Sequence, residues 1–172
     1  SFLKSIGDIF GENTILIEAN VESHNSVLKE LSQLPNKCLI VFLGHGSSTL
    51  LKGAVSTAYE LEGFIDNNQA NYLFTNHDVF LLSCNSSDFL KSFSSYNSSI
   101  GFGNILSSME EVEMEQKFRD INIDFNDIEI FKSAFLSSIH NSLLIFIEGR
   151  ISFSELTIYI RYYVNKQINT IL

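Results

Sequence analysis

"CLIVFLGHGSS", residues Cys38 to Ser48, begins with six almost entirely apolar residues and runs directly into Gly44-His45-Gly46. A run of this length, partly β-branched and closed by a glycine, is expected for a parallel strand covered on both faces. A histidine at such a strand end is either a core residue with a satisfied ring or a working base. The choice depends on a second stretch, "DVFLLSC" (Asp78 to Cys84), which repeats the pattern of a buried strand and ends in a cysteine.

The segment "AVSTAYELEGFIDN" (Ala54 to Asn67) is predicted to be a crossover helix joining the two strands into one βαβ unit. Upstream, "TILIEA" (Thr14 to Ala19) reads as a short β-like run. His24 to Leu34 places Val27, Leu28, Leu31 and Leu34 at helical spacing before Pro35 ends the helix. Downstream, "SSDFLKSF" reads as a short helix, "SSIGFGNI" as a further strand and "MEEVEMEQKFRD" as a charged excursion. Two long helices close the chain. The first carries Ile128, Phe131, Phe135, Ile139, Leu143 and Phe146 on one stripe, with Asn126 and Glu129 as its start signal and Gly149 as its stop. The second opens with Ser152 and Glu155 in capping-box spacing and turns Leu156, Ile160, Tyr163, Val164 and Ile168 inward. Strands alternating with helices predict an α/β sandwich.

At 172 residues, 45% hydrophobic and 18% charged, the chain has the makings of one globular domain, residues 1–172. Its apolar runs fall short of the roughly 20 residues that cross a bilayer, so no membrane span or membrane partner is expected. The N-terminus lacks a signal-peptide pattern, and a start at Ser1 is compatible with a fragment lacking N-terminal elements. Two cysteines, Cys38 inside an apolar run and Cys84 after one, do not make a disulfide framework, and a reducing cytoplasm is expected. A net charge of −9 and a pI near 4.8 argue against direct binding of nucleic acid.

In a right-handed βαβ unit both parallel strands finish at the same sheet edge, about 4.8 Å apart when they are neighbours. His45 follows one strand and Cys84 the other, on the rim where open α/β sheets place their sites. A thiol becomes a good nucleophile as thiolate, which an adjacent imidazole and the N-terminus of a helix starting near Ser86 would favour, whereas Asp88 would work slightly against it. Gly46, lacking Cβ, can bring its N–H close to a substrate carbonyl, and the N–H of Cys84 can join it as an oxyanion hole. The bland alternative is a buried structural cysteine beside a capped histidine. His24, His77 and His140 lack metal-ligand spacing, and no metal or cofactor is expected. Glu110, Glu111, Glu113 and Glu115 read as a solvated face or mobile loop, with a cation or a basic substrate residue as the less favoured alternative, and Asp78 as a cap or pair at the opposite strand end.

"LIVFLGHGSS" followed by "VFLLSCNSS" resembles the paired strand ends of caspase-like cysteine peptidases of clan CD, most closely the CHAT branch, where such a strand ends in Gly-His-Gly. "IGFGNI" is similar to that family's next core strand, and "FIEGRISFSELTIYI" to its late helix, glycine, helix passage. The resemblance is specific over Cys38 to Asn104 and weak outside that stretch. It implies a three-layer α/β fold with a mainly parallel central sheet flanked by helices. It further implies peptide-bond hydrolysis through a thioester, with His45 as base and acid, Cys84 as nucleophile, and a protein or peptide as substrate. A regulated prokaryotic signalling or antiviral defence protease is the implied setting, with control supplied by a regulatory protein partner.

Three departures stand beside the resemblance. Leu82 replaces the Gln or Asp that caspases and metacaspases carry two residues before the cysteine. Cys84 follows His45 by 39 positions, against roughly 50 in caspases. The chain is also short for a CHAT protein, with no room for a sensor domain. Leu82, Gly44 and Ser83 are the expected substrate-binding residues, and an apolar Leu82 disfavours an acidic residue at P1. The rival reading is a catalytically silent caspase-like interaction module that binds partners through residues 107–121.

Overall fold

The computed structural model describes residues 2–60, 63–105, 113 and 124–171, which form a mixed α/β structure in two compact units. One unit comprises residues 10–105 and the other residues 1–9 with 106–172.

In the first unit, β1 (Leu39–Leu43) pairs in parallel with β4 (Asp78–Leu82), which pairs in parallel with β5 (Ser98–Gly101). β2 (Leu50–Lys52) and β3 (Gly63–Asp66) form a separate antiparallel pair with a register shift between Leu51 and Lys52. Helices α2 (Val21–Ser32), α3 (Asn67–Leu73) and α4 (Ser86–Lys91) flank the sheet. One face of the sheet explains their packing. Ile40 and Phe42 of β1 and Val79 and Leu81 of β4 share a buried cluster with Val27, Ala70, Leu73, Phe89 and Leu90 from the three helices. The alternate residues Phe80 and Leu82 are buried on the opposite face, as the unbroken apolar run predicted for a central strand.

The predicted crossover helix over Ala54 to Asn67 is not there. The chain makes an isolated bridge between Ser56 and Tyr59, then β3, and turns helical only at Asn67. Gly53 packs against the His24 ring so closely that a Cβ would overlap it, and Val55 and Thr57 are β-branched. Helix formation waits for Asp66, whose carboxylate accepts the Gln69 N–H at 2.8 Å while the Gln69 side chain accepts the Asp66 N–H at 3.0 Å. The "TILIEA" run forms no strand either. Its backbone serves the start of α2, the Glu18 N–H donating to the Ser23 hydroxyl at 2.9 Å and Asn20 accepting the Ser23 N–H at 2.7 Å. Helix α2 therefore starts at Val21, earlier than its apolar spacing indicated, and ends before Pro35.

In the second unit, α1 (Phe2–Gly7) packs on α5 (Phe125–Ile147), and α5 pairs with α6 (Phe153–Ile171). The start signal of α5 is not Asn126 with Glu129 but Asp124 with Asp127, which form a reciprocal capping box at 2.9 and 3.0 Å. Gly149 ends the helix with φ +72°, and the Arg150 N–H bonds back to the Ile145 carbonyl at 3.1 Å. Ile128, Ile139 and Leu143 of the predicted stripe are buried, whereas Phe131 is 44% exposed. On α6, Leu156 and Ile160 are buried and Ile168 is exposed. The charged excursion over 109–120 lies outside the described residues except Glu113, which is exposed.

By length and composition alone α5 could cross a bilayer, with 28% of its most apolar window buried. The expectation of no such segment rested on uninterrupted apolar runs. Serines, Asn141 and His140 interrupt the run without adding a fixed charge from Ser133 to Ile147.

Candidate functional site

The parallel register of β1 and β4 aligns Leu43 with Leu82, and the Gly44 N–H extends the ladder to the Leu82 carbonyl at 3.2 Å. His45 and Cys84 each lie two residues beyond that last pair, so both leave the same edge of the sheet. His45 is exposed and Cys84 half-buried. Among the described residues the His45 ring has no hydrogen bond. The Cys84 thiol instead donates to the carbonyl of Ile105 at 3.4 Å.

Backbone hydrogen bonds fix the loop after His45. The Lys52 N–H bonds to the His45 carbonyl at 3.0 Å and the Ser47 N–H to the Leu50 carbonyl at 2.8 Å. Gly46 sits between them opposite Leu51 as a pair that exchanges no bonds, which turns its own N–H away from β2. Gly46 also packs on the neighbouring strand exit: a Cβ here would come 2.7 Å from Ser83 Oγ and 3.0 Å from Ser83 Cβ. Only glycine fits. Among the described residues neither the Gly46 N–H nor the Cys84 N–H has a hydrogen-bond partner, so both expected oxyanion donors are uncommitted.

The turn after Cys84 is built by the residues that follow it. Asn85 adopts a left-handed conformation, φ 55° and ψ 20°, which Asn tolerates better than most side chains. Its N–H bonds to the Gly103 carbonyl and the Ser87 N–H to the Phe102 carbonyl, each at 2.9 Å. The Ser86 N–H reaches the Ser83 carbonyl at 3.4 Å, and the Asp88 and Phe89 N–H groups reach Asn85 at 3.1 Å. The first-turn amides of α4 are thus already bonded within the fold, so the sequence argument that this six-residue helix would support a thiolate loses its free donors. Asp88 pairs instead with Lys91 at 2.7 Å on the surface.

Leu82 and Ser83 are buried, 3% and 2% exposed, and Gly44 lies against the Phe42 ring. The substrate-facing role expected of Leu82 and Ser83 thus requires access that their side chains do not have here, whereas Gly44 is half-buried. Ser83 Oγ is buried with no hydrogen-bond partner among the described residues. Sequence reasoning missed Ser86, whose buried hydroxyl lies between the Phe102 N–H at 2.9 Å and the Leu81 and Ser83 carbonyls at 2.7 and 2.8 Å. It also missed Gly101, where a Cβ would come 2.8 Å from the backbone of Ser86 and Ser87. The closeness of Ser86 to Cys84 in sequence was the available signal, but nothing in sequence marks a hydroxyl as buried.

Among the described residues no cluster of three or more His, Cys, Asp or Glu side chains could hold a metal ion. His24 is buried, its Nδ1 3.2 Å from the Tyr59 hydroxyl and its ring edge-on to Phe64. Asp78 accepts from the Asn97 amide at 2.7 Å, at the strand end opposite the site. A groove of about 300 Å³ lined by Ile15, Glu18, Glu22, Val27 and Glu30 runs along α2 and includes neither His45 nor Cys84.

Comparison of the chain with protein-family models, curated proteins and solved structures finds no match.

Proposed function

We propose that the chain is a cysteine endopeptidase of caspase-like, CHAT-type character, its parallel sheet and flanking helices belonging to a three-layer fold. One observation carries the reading: the register of β1 and β4 sends His45 and Cys84 off the same sheet edge, each two residues past a paired residue. In the proposed cycle His45 takes the proton from Cys84 Sγ, and sulfur attacks the carbonyl carbon of a peptide bond. The oxyanion meets the N–H groups of Gly46 and Cys84, whose removal typically costs about 3 kcal/mol per donor in such sites. Collapse expels the amine, protonated by His45, and leaves a thioester that water hydrolyses with His45 again as base.

The contact from Cys84 Sγ to Ile105 favours a second reading, a silent interaction module or a resting enzyme whose nucleophile is engaged away from its base. A regulatory protein partner in a bacterial cytoplasm would then supply the rearrangement. Peptide-library hydrolysis separates the two. An enzyme loses turnover completely in Cys84→Ala and in His45→Ala with the fold retained, whereas a silent module has no turnover under any activating condition.

A further inference from the structure

We infer that Ser86 is a positioning residue for the oxyanion site, holding the peptide unit between Ser83 and Cys84 with its carbonyl inward and its N–H outward. The inference rests on the peptidase reading above. Ser86 is fully buried, and its hydroxyl accepts the Phe102 N–H at 2.9 Å. Its single proton is shared between the carbonyls of Leu81 at 2.7 Å and Ser83 at 2.8 Å. The Ser86 N–H adds a longer bond to the same Ser83 oxygen at 3.4 Å.

That oxygen and the Cys84 N–H are the two ends of one trans peptide, and in a trans peptide C=O and N–H point in opposite directions. Anchoring the carbonyl on the buried serine therefore turns the Cys84 N–H away from the core, where it has no partner among the described residues. Gly101 permits the arrangement, since only a residue without Cβ lets β5 approach Ser86 and Ser87 so closely. Without the hydroxyl, the Ser83 carbonyl keeps only the longer bond. The peptide is then free to rotate out of register with a developing oxyanion.

Two reagents that use the same sulfur differently test this. Iodoacetamide forms an S–C bond at Cys84 and releases iodide, with no oxyanion. The peptide aldehyde acetyl-Leu-Leu-argininal adds sulfur to its carbonyl carbon, the C=O π pair moves onto oxygen, and the thiol proton passes through His45 to that oxygen, with nothing expelled. In the full chain, Ser86→Ala is expected to weaken the aldehyde adduct by between about 10- and 100-fold while changing iodoacetamide alkylation of Cys84 by less than about threefold. Ser86→Thr, which keeps the hydroxyl, restores adduct formation, and unchanged alkylation of Cys38 reports the intact fold. Equal losses with both reagents, or no loss with the aldehyde, would overturn the role of Ser86. A wild-type chain that forms no Cys84 adduct with either reagent sinks the peptidase reading and this inference with it.

Discussion

Leu43 and Leu82 are register partners at the ends of two parallel strands, and the bond from the Gly44 N–H to the Leu82 carbonyl carries that pairing one step further. His45 and Cys84 leave the sheet just beyond it. Everything proposed for the site depends on this alignment, because a shift of one residue would turn one of the two side chains to the other face.

Gly46→Ala places a methyl 2.7 Å from Ser83 Oγ. Overpacking of this kind costs about 1–3 kcal/mol. Urea denaturation should register that loss, and adding Ser83→Gly to Gly46→Ala should recover part of it. Equal stability of wild type and the single variant would mean that the two strand exits are not in contact.

Gly101 and Gly103 give a sharper contrast. A Cβ at Gly101 meets backbone atoms at 2.8 Å, which cannot rotate aside, whereas one at Gly103 meets nothing within 4 Å. Gly101→Ala is expected to cost more than Gly46→Ala, and Gly103→Ala to stay within about 0.5 kcal/mol of wild type. Thermal melts of the three variants give the ranking.

The carboxyl of Glu155 is held below the ordinary glutamate value by the Ser152 backbone N–H first and the Ser152 hydroxyl second. A lowered folded-state value stabilises the fold above the ordinary carboxylate range, and the contribution disappears as pH falls through the lowered value. Glu155 is fully exposed, so the effect is small. Titration by NMR should find Glu155 below the other exposed glutamates in wild type and closer to them in Ser152→Ala, where only the backbone bond remains.

If Leu82 lines the P1 subsite once the site is open, it offers a carboxylate neither charge nor hydrogen bond, and burying an unpaired carboxylate is costly. Cleavage should follow uncharged or basic residues and not Asp. Substrates differing only at P1 decide the matter, and a clear preference for Asp would reverse the assignment.

The strands that carry the candidate dyad were legible because "LIVFL" and "DVFLL" are almost wholly apolar, but the expected cover on both faces holds only for central β4; β1, at the sheet edge, alternates half-buried and buried residues. The segment between them was not legible. Its residues alternate small, polar and β-branched, and the pinning of Gly53 against His24 is a contact between positions 29 apart that no local pattern reveals. The start of α5 was misread because Asn126 with Glu129 and Asp124 with Asp127 present the same spacing, and only the geometry of the reciprocal bonds chooses between them. At the site, His45, Gly46 and Cys84 were visible as residue types at strand ends. Ser86 and the Ile105 carbonyl act through long-range packing and a main-chain oxygen, which carry no signature in sequence.

The central claim is that His45 serves Cys84, and the direct measurement is the rate at which iodoacetamide alkylates Cys84 near neutral pH, with Cys38 in the same molecule as the internal reference. The comparison is between wild type and His45→Ala, with the proposed activating partner present if the isolated chain is at rest. The account predicts that Cys84 reacts at least about tenfold faster than Cys38 and loses that advantage in His45→Ala, as expected for a thiol activated by an adjacent imidazole. Alkylation of Cys84 at the same rate with and without His45 would contradict it.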